Sequence, residues 1–215
     1  MTVLKKVLLL LSDPQTVREL VRFRFAEYLA ETGWLESVRR REPVDHDGRP
    51  LPWMSLPFID FITPRLHDGL SVFEYGSGNS TLYFEQRAGS VIAVEHDAAW
   101  HARIAPRALK KTRVIHCRLD DGESYETAVT RQGMSFDIVI VDGRKRSECL
   151  RHAAAGVSER GVIVLDDAER PEYAAAVETL SAAGWKTLPF WGIAPGMHNR
   201  KCTLVLYRTG NCLGI

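Results

Sequence analysis

The amino-acid sequence predicts an α/β protein built on a doubly wound, mostly parallel sheet of seven strands, with a helical extension at the N-terminus. After His67, short apolar runs rich in β-branched residues alternate with segments of helical spacing, as parallel sheets require. The run 138–141, IVIV, is apolar on both faces, which is typical of a strand covered by helices on both sides. Residues 1–66 show helical periodicity instead. We therefore divide the chain into a helical extension, 1–66, and a sheet domain, 67–215.

The extension is predicted to consist of helices and a proline-rich loop. Residues 3–12, VLKKVLLLLS, have an apolar core over residues 7–11 that is too short to span a bilayer, which takes about 20 residues, so we expect a buried helix there. Asp13 followed by Pro14 is a typical helix start, and Gly33 interrupts the helical pattern. Residues 42–55 contain three prolines and a glycine, which predicts a loop before a short helix over 57–66. We expect this region to form a lid, in which Trp53 either faces the ligand or anchors the loop.

The sheet domain accounts for all seven predicted strands. Helical segments are expected between successive strands, including residues 123–132 after the third strand and residues 172–183 after the fifth. The last two strands are predicted to pair as a hairpin, which brings an antiparallel strand into the sheet. The predicted strands are 71–75, 90–95, 112–117, 136–142, 161–167, 186–191 and 202–208.

Composition narrows the class of protein. The chain has 215 residues, and 28 Lys and Arg against 27 Asp and Glu give a net charge of +1, so the basic surface of a dedicated nucleic-acid binder is not expected. No apolar run is long enough for a membrane span, so we expect neither a nucleic-acid nor a membrane partner. The four cysteines are scattered without a C-x-x-C pair, which favours reduced thiols and a cytoplasmic location.

Acidic residues lie at or just beyond the carboxyl end of each of the first five predicted strands. In open sheets of this type, ligands bind outside the carboxyl ends of the strands, at the point where strand order reverses. The stretch 72–81, VFEYGSGNST, adds Gly76 and Gly78 directly after the first strand, where glycines let a ligand approach the backbone. The acidic residues are Glu74, Glu95, Asp120 with Asp121, Asp142, and Asp166 with Asp167.

The pattern favours a nucleoside with a cationic amino-acid end over a dinucleotide. Glu95, at the end of the second strand, is placed to accept hydrogen bonds from both hydroxyls of a ribose. The dinucleotide fingerprint G-x-G-x-x-G requires a third glycine where this chain has Thr81. Glu74 would repel a pyrophosphate and attract an amino group. The predicted cofactor is therefore S-adenosylmethionine.

The same segments resemble a known family. FEYGSGNST (73–81) and VIAVEHD (91–97) resemble motifs I and II of the class I S-adenosylmethionine-dependent methyltransferases, and FDIVIVDGR (136–144) and GVIVLDDAER (161–170) resemble their fourth- and fifth-strand motifs. The similarity covers residues 70–208 and implies a Rossmann-like methyltransferase fold. The loop GRPLPWMSLPFIDF (48–61) is similar to one in small bacterial members that carry a helical N-terminal extension.

The resemblance also implies a cofactor site. Gly76 and Gly78 would let the loop backbone pass close to the methionine part of the cofactor, with Glu74 near its amino group. Glu95 would hold the ribose, and an adjacent histidine would either line the adenine pocket or lie at the surface. The other implied cofactor residues are Tyr75, Ser77, Asn79, Ser80, His96 and Asp142, with Asp120 or Asp121 at the adenine amino group.

The predicted reaction is methyl transfer to a small-molecule acceptor, at a hydroxyl oxygen. Such a reaction needs an aligned nucleophile and a group that removes its proton. Asp142 ends the fourth strand, where many methyltransferases place a catalytic residue, and Lys145 follows it, so these two are the predicted catalytic residues. The segment 143–146, GRKR, either binds an anionic substrate or forms a solvated turn.

Three alternative functions are compatible with the same residues. VDGRK followed by LDD resembles metal-dependent catechol-type O-methyltransferases, in which Asp142, Asp166 and Asp167 would bind Mg²⁺, although Asp167 stands where that pattern has asparagine. Mg²⁺ is therefore the less favoured option. Aminopropyl transfer uses similar sheets, and a non-catalytic module that only binds the cofactor would keep the same motifs.

The tryptophans 100, 185 and 191 are predicted to serve packing.

Overall fold

A computed structural model of the chain describes residues 1–122 and 124–215. Within these residues a seven-stranded sheet has the strand order β3-β2-β1-β4-β5-β7-β6. Strands β1 to β5 pair in parallel, and β7 is antiparallel to both β5 and β6. The predicted doubly wound sheet with a final hairpin is confirmed. The strands are β1 Ser71–Tyr75, β2 Ser90–Glu95, β3 Thr112–His116, β4 Phe136–Val141, β5 Val157–Leu165, β6 Lys186–Gly192 and β7 Lys201–Tyr207.

The central strands are buried on both faces, as their apolar sequences predict. In β1, Phe73 and Tyr75 belong to one apolar layer, whereas Val72 packs in the layer on the opposite face. Residues 138–141 of β4 alternate in the same way between the two layers. Strand order reverses between β1 and β4, so the carboxyl ends of these two strands meet at the site where such sheets bind ligands.

Helices cover both faces of the sheet, with one departure from the predicted pattern. The helix expected over residues 123–132 is wrong for the described part of that segment, because residues 124–129 form turns and Thr130–Gln132 forms a 3-10 helix. Residue 123 lies outside the described residues. Tyr125 is fully buried in these turns, so side-chain burial holds the segment in place without a helix. The helices of the sheet domain are α6 Asn79–Glu85, α7 Ala98–Ile104, α8 Arg146–Gly156 and α9 Ala174–Ala182.

The N-terminal extension is helical, and its second half packs on the sheet domain. The indole of Trp34 donates to the carbonyl of Met197 over 2.8 Å, and the backbone N–H of Ser55 donates to the Thr203 hydroxyl over 3.0 Å. Among the described residues, none of the helices is both long and apolar enough to cross a membrane. The helices are α1 Val3–Leu11, α2 Pro14–Phe25, α3 Glu27–Glu31, α4 Trp34–Arg40 and α5 Leu56–Ile62.

The two N-terminal helices differ in how well the sequence predicts them. Helix α2 begins as expected at Pro14, and Asp13 accepts a hydrogen bond from the backbone N–H of Thr16 over 3.1 Å. The prediction that α1 is buried is wrong, because every residue of α1 is exposed. Helix α2, which α1 contacts, has no buried residue either, and its apolar side chains Leu20, Val21, Phe23 and Phe25 are exposed, so the contact between α1 and α2 leaves both helices open to solvent.

Candidate functional site

A cavity of about 560 Å³ lies at the carboxyl ends of β1, β2, β4 and β5, and we call it the main cavity. Its volume falls within the range typical of small-molecule sites. Its lining residues are Trp53, Glu74, Gly76, Ser77, Ser80, Glu95, His96, Asp97, Trp100, Asp142, Gly143, Arg144, Arg146, Asp166, Asp167, Arg170, Met197 and Lys201.

A side cavity of about 300 Å³ adjoins the main cavity. The two share Trp53, Ser77, Ser80, Trp100 and Asp142 as lining residues, so they meet beside Asp142. The remaining residues of the side cavity are Arg40, Arg41, Glu42, Pro43, Gly78, Asn79, Arg103 and Arg107.

The turn after β1 contains two glycines, and its conformation requires glycine at Gly76 but not at Gly78. Gly76 has φ +95°, and a Cβ atom built there would lie 3.2 Å from the Cα of Gly143 in the loop after β4. A Cβ at Gly143 would lie 2.0 Å from the hydroxyl of Tyr125. Gly78 has φ 166°, which is extended backbone open to any residue. Close packing of the β1 and β4 loops therefore explains Gly76, and this packing shapes the floor of the main cavity.

Glu95 is held rigidly at the end of β2. Its Oε2 atom accepts from the backbone N–H and the hydroxyl of Ser77, each over 3.1 Å, and Oε1 accepts from the backbone N–H of Asp97 over 2.9 Å. The residue is only 4% exposed, yet it lines the main cavity. The Nδ1 atom of His96 lies 2.9 Å from Oε1 without the alignment of a hydrogen bond. A carboxylate has about four lone-pair positions, so Glu95 can accept further bonds from a ligand.

Glu74 brings a second carboxyl group to the main cavity. It is 1% exposed, and the hydroxyl of Thr81 donates to its Oε2 atom over 2.5 Å. Burial raises the pKa of Glu74 to about 7, while hydrogen bonds from Ser80 and Thr81 act in the opposite direction. The nearby Glu95 raises this pKa further. A cationic group entering the cavity would favour the ionised form of Glu74.

We expect Glu74→Gln to stabilise the protein more at pH 8 than at pH 4. Because the folded-state pKa of about 7 exceeds the ordinary value of 4.5, wild type loses about 3 kcal/mol of stability as pH rises through that window. The variant has no carboxyl group to ionise and escapes this loss. Urea unfolding at the two pH values measures the difference, with Glu178→Gln on the surface of α9 as the control. Equal effects at both pH values would contradict the raised pKa.

The acids that end β4 and β5 lie in a network of ion pairs. Asp142 pairs with Arg146 over 2.9 Å, and burial raises the pKa of Asp142 to about 6 against the charges of Arg146 and Lys201. The ammonium of Lys201 lies 2.5 Å from Asp166 and 2.8 Å from Asp167. Burial raises the pKa of Asp167, whereas the hydrogen bond and the charge of Lys201 lower it. The net result is a pKa below the ordinary value. Arg170 also pairs with Asp167, over 2.6 Å.

These acids do not fit a Mg²⁺ site. Each of Asp142, Asp166 and Asp167 already has a cationic side chain as partner, and Lys201 lies between the two acids of β5 where a shared metal ion would have to be. In the part of the chain that the structure describes, no group of three His, Cys, Asp or Glu side chains is arranged to hold a metal ion.

The structure places nine of the predicted cofactor and catalytic residues in the walls of the two cavities and three outside them. Those that line the main cavity are Glu74, Gly76, Ser77, Ser80, Glu95, His96 and Asp142, and Gly78 and Asn79 line the side cavity. The other three point elsewhere. Tyr75 donates from its hydroxyl to the carbonyl of Glu126 over 2.6 Å, and Lys145 donates to the Glu126 carboxylate over 2.6 Å. Asp120 pairs on the surface with Arg118 over 2.6 Å.

Two tryptophans of the cavities behave differently from the packing residues of the core. Trp100, which was predicted to serve packing, is 40% exposed and lines both cavities while its indole N–H donates to the carbonyl of Ser77 over 2.7 Å. Trp53 also lines both, and its indole N–H donates to the carbonyl of Pro195 over 2.9 Å. Trp53 thus both anchors its loop and faces the cavities.

Sequence reasoning missed several residues of the site, of which Lys201 is the most informative. It is 3% exposed although lysine is seldom fully buried, and it directly precedes the apolar run of β7. A single lysine before a strand is too common to be a signal by itself. Its partners Asp166 and Asp167 lie far away in sequence, so only the pairing of β5 with β7 brings them together.

Comparison with known proteins gives structural matches alone. No family model matches the chain, and no curated protein sequence matches it. Precorrin-6y C5,15-methyltransferase from Geobacter metallireducens matches with a TM-score of 0.55 and 16% identity, over 71% of this chain and 87% of that one. A methyltransferase-like protein from Silicibacter pomeroyi matches with a TM-score of 0.52 and 24% identity, over 75% of this chain and 90% of that one.

A third structure carries a ligand. A protein from Streptococcus mutans, determined in complex with SAH (S-adenosylhomocysteine), matches with a TM-score of 0.51 and 10% identity, over 70% of this chain and 97% of that one. The chain has the class I S-adenosylmethionine-dependent methyltransferase fold. The fold prediction is thereby confirmed, and both cavities lie at the sheet edge where ligands bind in doubly wound folds.

Proposed function

We propose that the protein transfers a methyl group from S-adenosylmethionine to a small-molecule acceptor, at a hydroxyl oxygen. The observation that carries this proposal is Glu95, a buried carboxylate that two backbone N–H groups fix at the end of β2 and that still lines the main cavity. Such a group is suited to bind both hydroxyls of a ribose.

The charge of the main cavity supports a cationic cofactor. Its lining contains six carboxyl groups against four Arg and Lys side chains. S-adenosylmethionine carries a sulfonium and an ammonium group. Glu74 would pair with the ammonium, because this pairing offsets the free-energy cost of burying the ionised carboxylate. The backbone of Gly76 would pass beside the methionine part. A dinucleotide would instead bring two phosphates into a cavity with excess negative charge.

Within this proposal Asp142 removes the proton of the acceptor. The bound cofactor supplies an electrophilic methyl group, so that the acceptor oxygen gains a bond to carbon while the carbon–sulfur bond breaks. Asp142 lines both cavities, and its pKa of about 6 leaves most of it ionised and able to accept a proton at pH 7. We assign this role to Asp142 rather than Lys145, since the ammonium of Lys145 is held by Glu126 and by the carbonyl of Leu119.

Calorimetric titration with S-adenosylmethionine, S-adenosylhomocysteine and NAD tests the cofactor. We expect micromolar binding of the two sulfur nucleosides and none of NAD. Glu95→Gln should weaken that binding at least about tenfold, since charge-assisted hydrogen bonds contribute about 1.5–3 kcal/mol each. Glu178→Gln is the control. If folded wild-type protein binds neither sulfur nucleoside, the methyltransferase proposal fails.

A screen with the tritiated methyl group of S-adenosylmethionine identifies the acceptor. We expect label in small hydroxylated compounds, in equal amounts with and without Mg²⁺, because the acids after β4 and β5 already have cationic partners. Ribosomal RNA and protein fractions serve as the comparison arms. Label confined to either macromolecule would contradict the small-molecule acceptor.

A further inference from the structure

The side cavity and the main cavity have opposite charge. The side cavity is lined by the four guanidinium groups of Arg40, Arg41, Arg103 and Arg107 and by two carboxyl groups, those of Glu42 and Asp142. The main cavity has an excess of carboxyl groups instead. A positively charged cavity therefore opens directly beside a negatively charged one, and the two meet at Asp142.

Three of the four arginines keep hydrogen-bonding capacity for a ligand. Arg40 is engaged with Glu36 over 2.6 Å. Arg103 and Arg107 lie 4.0 and 3.9 Å from Glu42, which is too far for a hydrogen bond. Arg41, at the end of α4, has no ion-pair or side-chain hydrogen-bond partner within residues 1–122 and 124–215.

The surrounding structure contacts Arg103 and joins the two walls of the side cavity. The Arg103 guanidinium lies 5.0 Å from the ring centroid of Trp100, whose indole is itself bonded to the β1 turn. Asn79 donates to the carbonyl of Pro43 over 2.8 Å and to Glu42 over 3.2 Å, which ties the loop after α4 to helix α6. The side cavity is therefore bounded on one wall by α6 and α7 and on the other by the extension.

We propose that the methyl acceptor is an anionic small molecule, and that Arg41, Arg103 and Arg107 bind its phosphate or carboxylate group. This inference rests on the proposed function. Guanidinium groups bind both anions through paired N–H donors. The acceptor hydroxyl then lies at the junction of the two cavities, beside Asp142, while the cofactor occupies the main cavity. A volume of about 300 Å³ is at the lower end of the range for small ligands, and it suits one such molecule better than a nucleic-acid strand.

The test is calorimetric titration of the full chain, saturated with S-adenosylhomocysteine, with inorganic pyrophosphate and separately with citrate. The first probe represents phosphate-bearing acceptors and the second carboxylate-bearing ones. We expect saturable binding of at least one probe and a loss of at least about tenfold in affinity in the double variant Arg103→Ala, Arg107→Ala. Arg151→Ala is the matched control, because Arg151 and Arg103 have the same side-chain exposure of 59% and Arg151 lines neither cavity.

Titration of the same variants with S-adenosylhomocysteine alone separates the proposal from its main competitor. We expect the double variant to bind this nucleoside as wild type does. The competing explanation is that the arginines bind the cofactor's own carboxylate. In that case the double variant would lose at least about tenfold in affinity for S-adenosylhomocysteine, and the probes would compete with this nucleoside in wild type. That result would overturn the proposal. Absence of probe binding in folded protein that binds the nucleoside also overturns it.

Two further outcomes are informative. A single-stranded RNA that binds far more tightly than pyrophosphate, with affinity falling steeply as salt rises, would overturn the small-molecule acceptor. Binding of pyrophosphate by protein that does not bind S-adenosylhomocysteine would overturn the proposed function and leave an arginine-dependent anion site.

Discussion

Replacing Lys201 by methionine is expected to lower the free energy of unfolding by about 3–5 kcal/mol at pH 8. The ammonium of Lys201 is nearly inaccessible, and it is bonded to Asp166, to Asp167 and to the carbonyl of Trp53. Methionine fills a similar volume but removes the cation that lowers the pKa of Asp166, which burial already raises to about 7. At pH 8 Asp166 must then either remain a buried charge beside the hydroxyl of Thr203 or take up a proton, and both cost free energy. The cost is therefore electrostatic rather than a loss of packing.

The pH dependence of this effect distinguishes its cause. Protonation removes the uncompensated charge, so the loss in Lys201→Met should shrink as pH falls toward 5, whereas a packing defect would not depend on pH. Urea unfolding at pH 8 and pH 5 measures both values. Lys186→Met is the control, because Lys186 is exposed on β6 and donates a hydrogen bond to the hydroxyl of Thr209 at the surface, where such a contact contributes at most about 1 kcal/mol. A loss below 1 kcal/mol at pH 8 would show that the ion pairs do not stabilise the fold.

The sheet could be predicted from the sequence because its strands carry a local signal. Each central strand is a short run that is apolar on both faces and bounded by polar residues, and a run such as 138–141 has few other ways to be buried. The acidic residues at the strand ends could also be predicted from the sequence, since Glu74 and Glu95 are charged residues at the ends of apolar runs. Parallel pairing then brings these ends to one edge of the sheet.

Features that depend on distant partners were not predictable in this way. The network around Lys201 joins the ends of β5 and β7 to helix α8 through Arg146, and no local pattern marks those three places as neighbours. The same holds for the side cavity, whose arginines come from α4 and from α7 with the turn that follows it. Helix α1 shows the opposite failure, since its strong apolar pattern predicts burial although every residue of the helix is exposed.

The two cavities together give a physical account of how one site can handle two ligands. A cationic cofactor is favoured where carboxyl groups are in excess, and an anionic acceptor is favoured where guanidinium groups are in excess. Each ligand is disfavoured in the other cavity by like charge. Asp142 lines both cavities, and in the proposed reaction methyl transfer would occur where they meet.

Asp142→Asn is accordingly expected to lower kcat for methyl transfer by about 10²–10⁴-fold, the usual contribution of a positioned general base. In wild type, kcat/KM should rise with pH through about 6 and then level off, because this ratio reports the free protein, in which the carboxylate with that pKa accepts a proton only when ionised. The variant should lose this rise, since its amide does not titrate. Initial rates between pH 5 and 8, with the acceptor from the labelling screen, measure both effects.

The affinity for S-adenosylhomocysteine separates a base from a binding residue at Asp142. As a base, its replacement leaves the dissociation constant within about threefold of wild type, a change of less than 1 kcal/mol. A large loss of that affinity with kcat unchanged at saturating cofactor would instead make Asp142 a cofactor ligand. Retention of the pH limb near 6 in Asp142→Asn would assign the titration to another group, and the buried Glu74, with its pKa of about 7, is the next candidate in the main cavity.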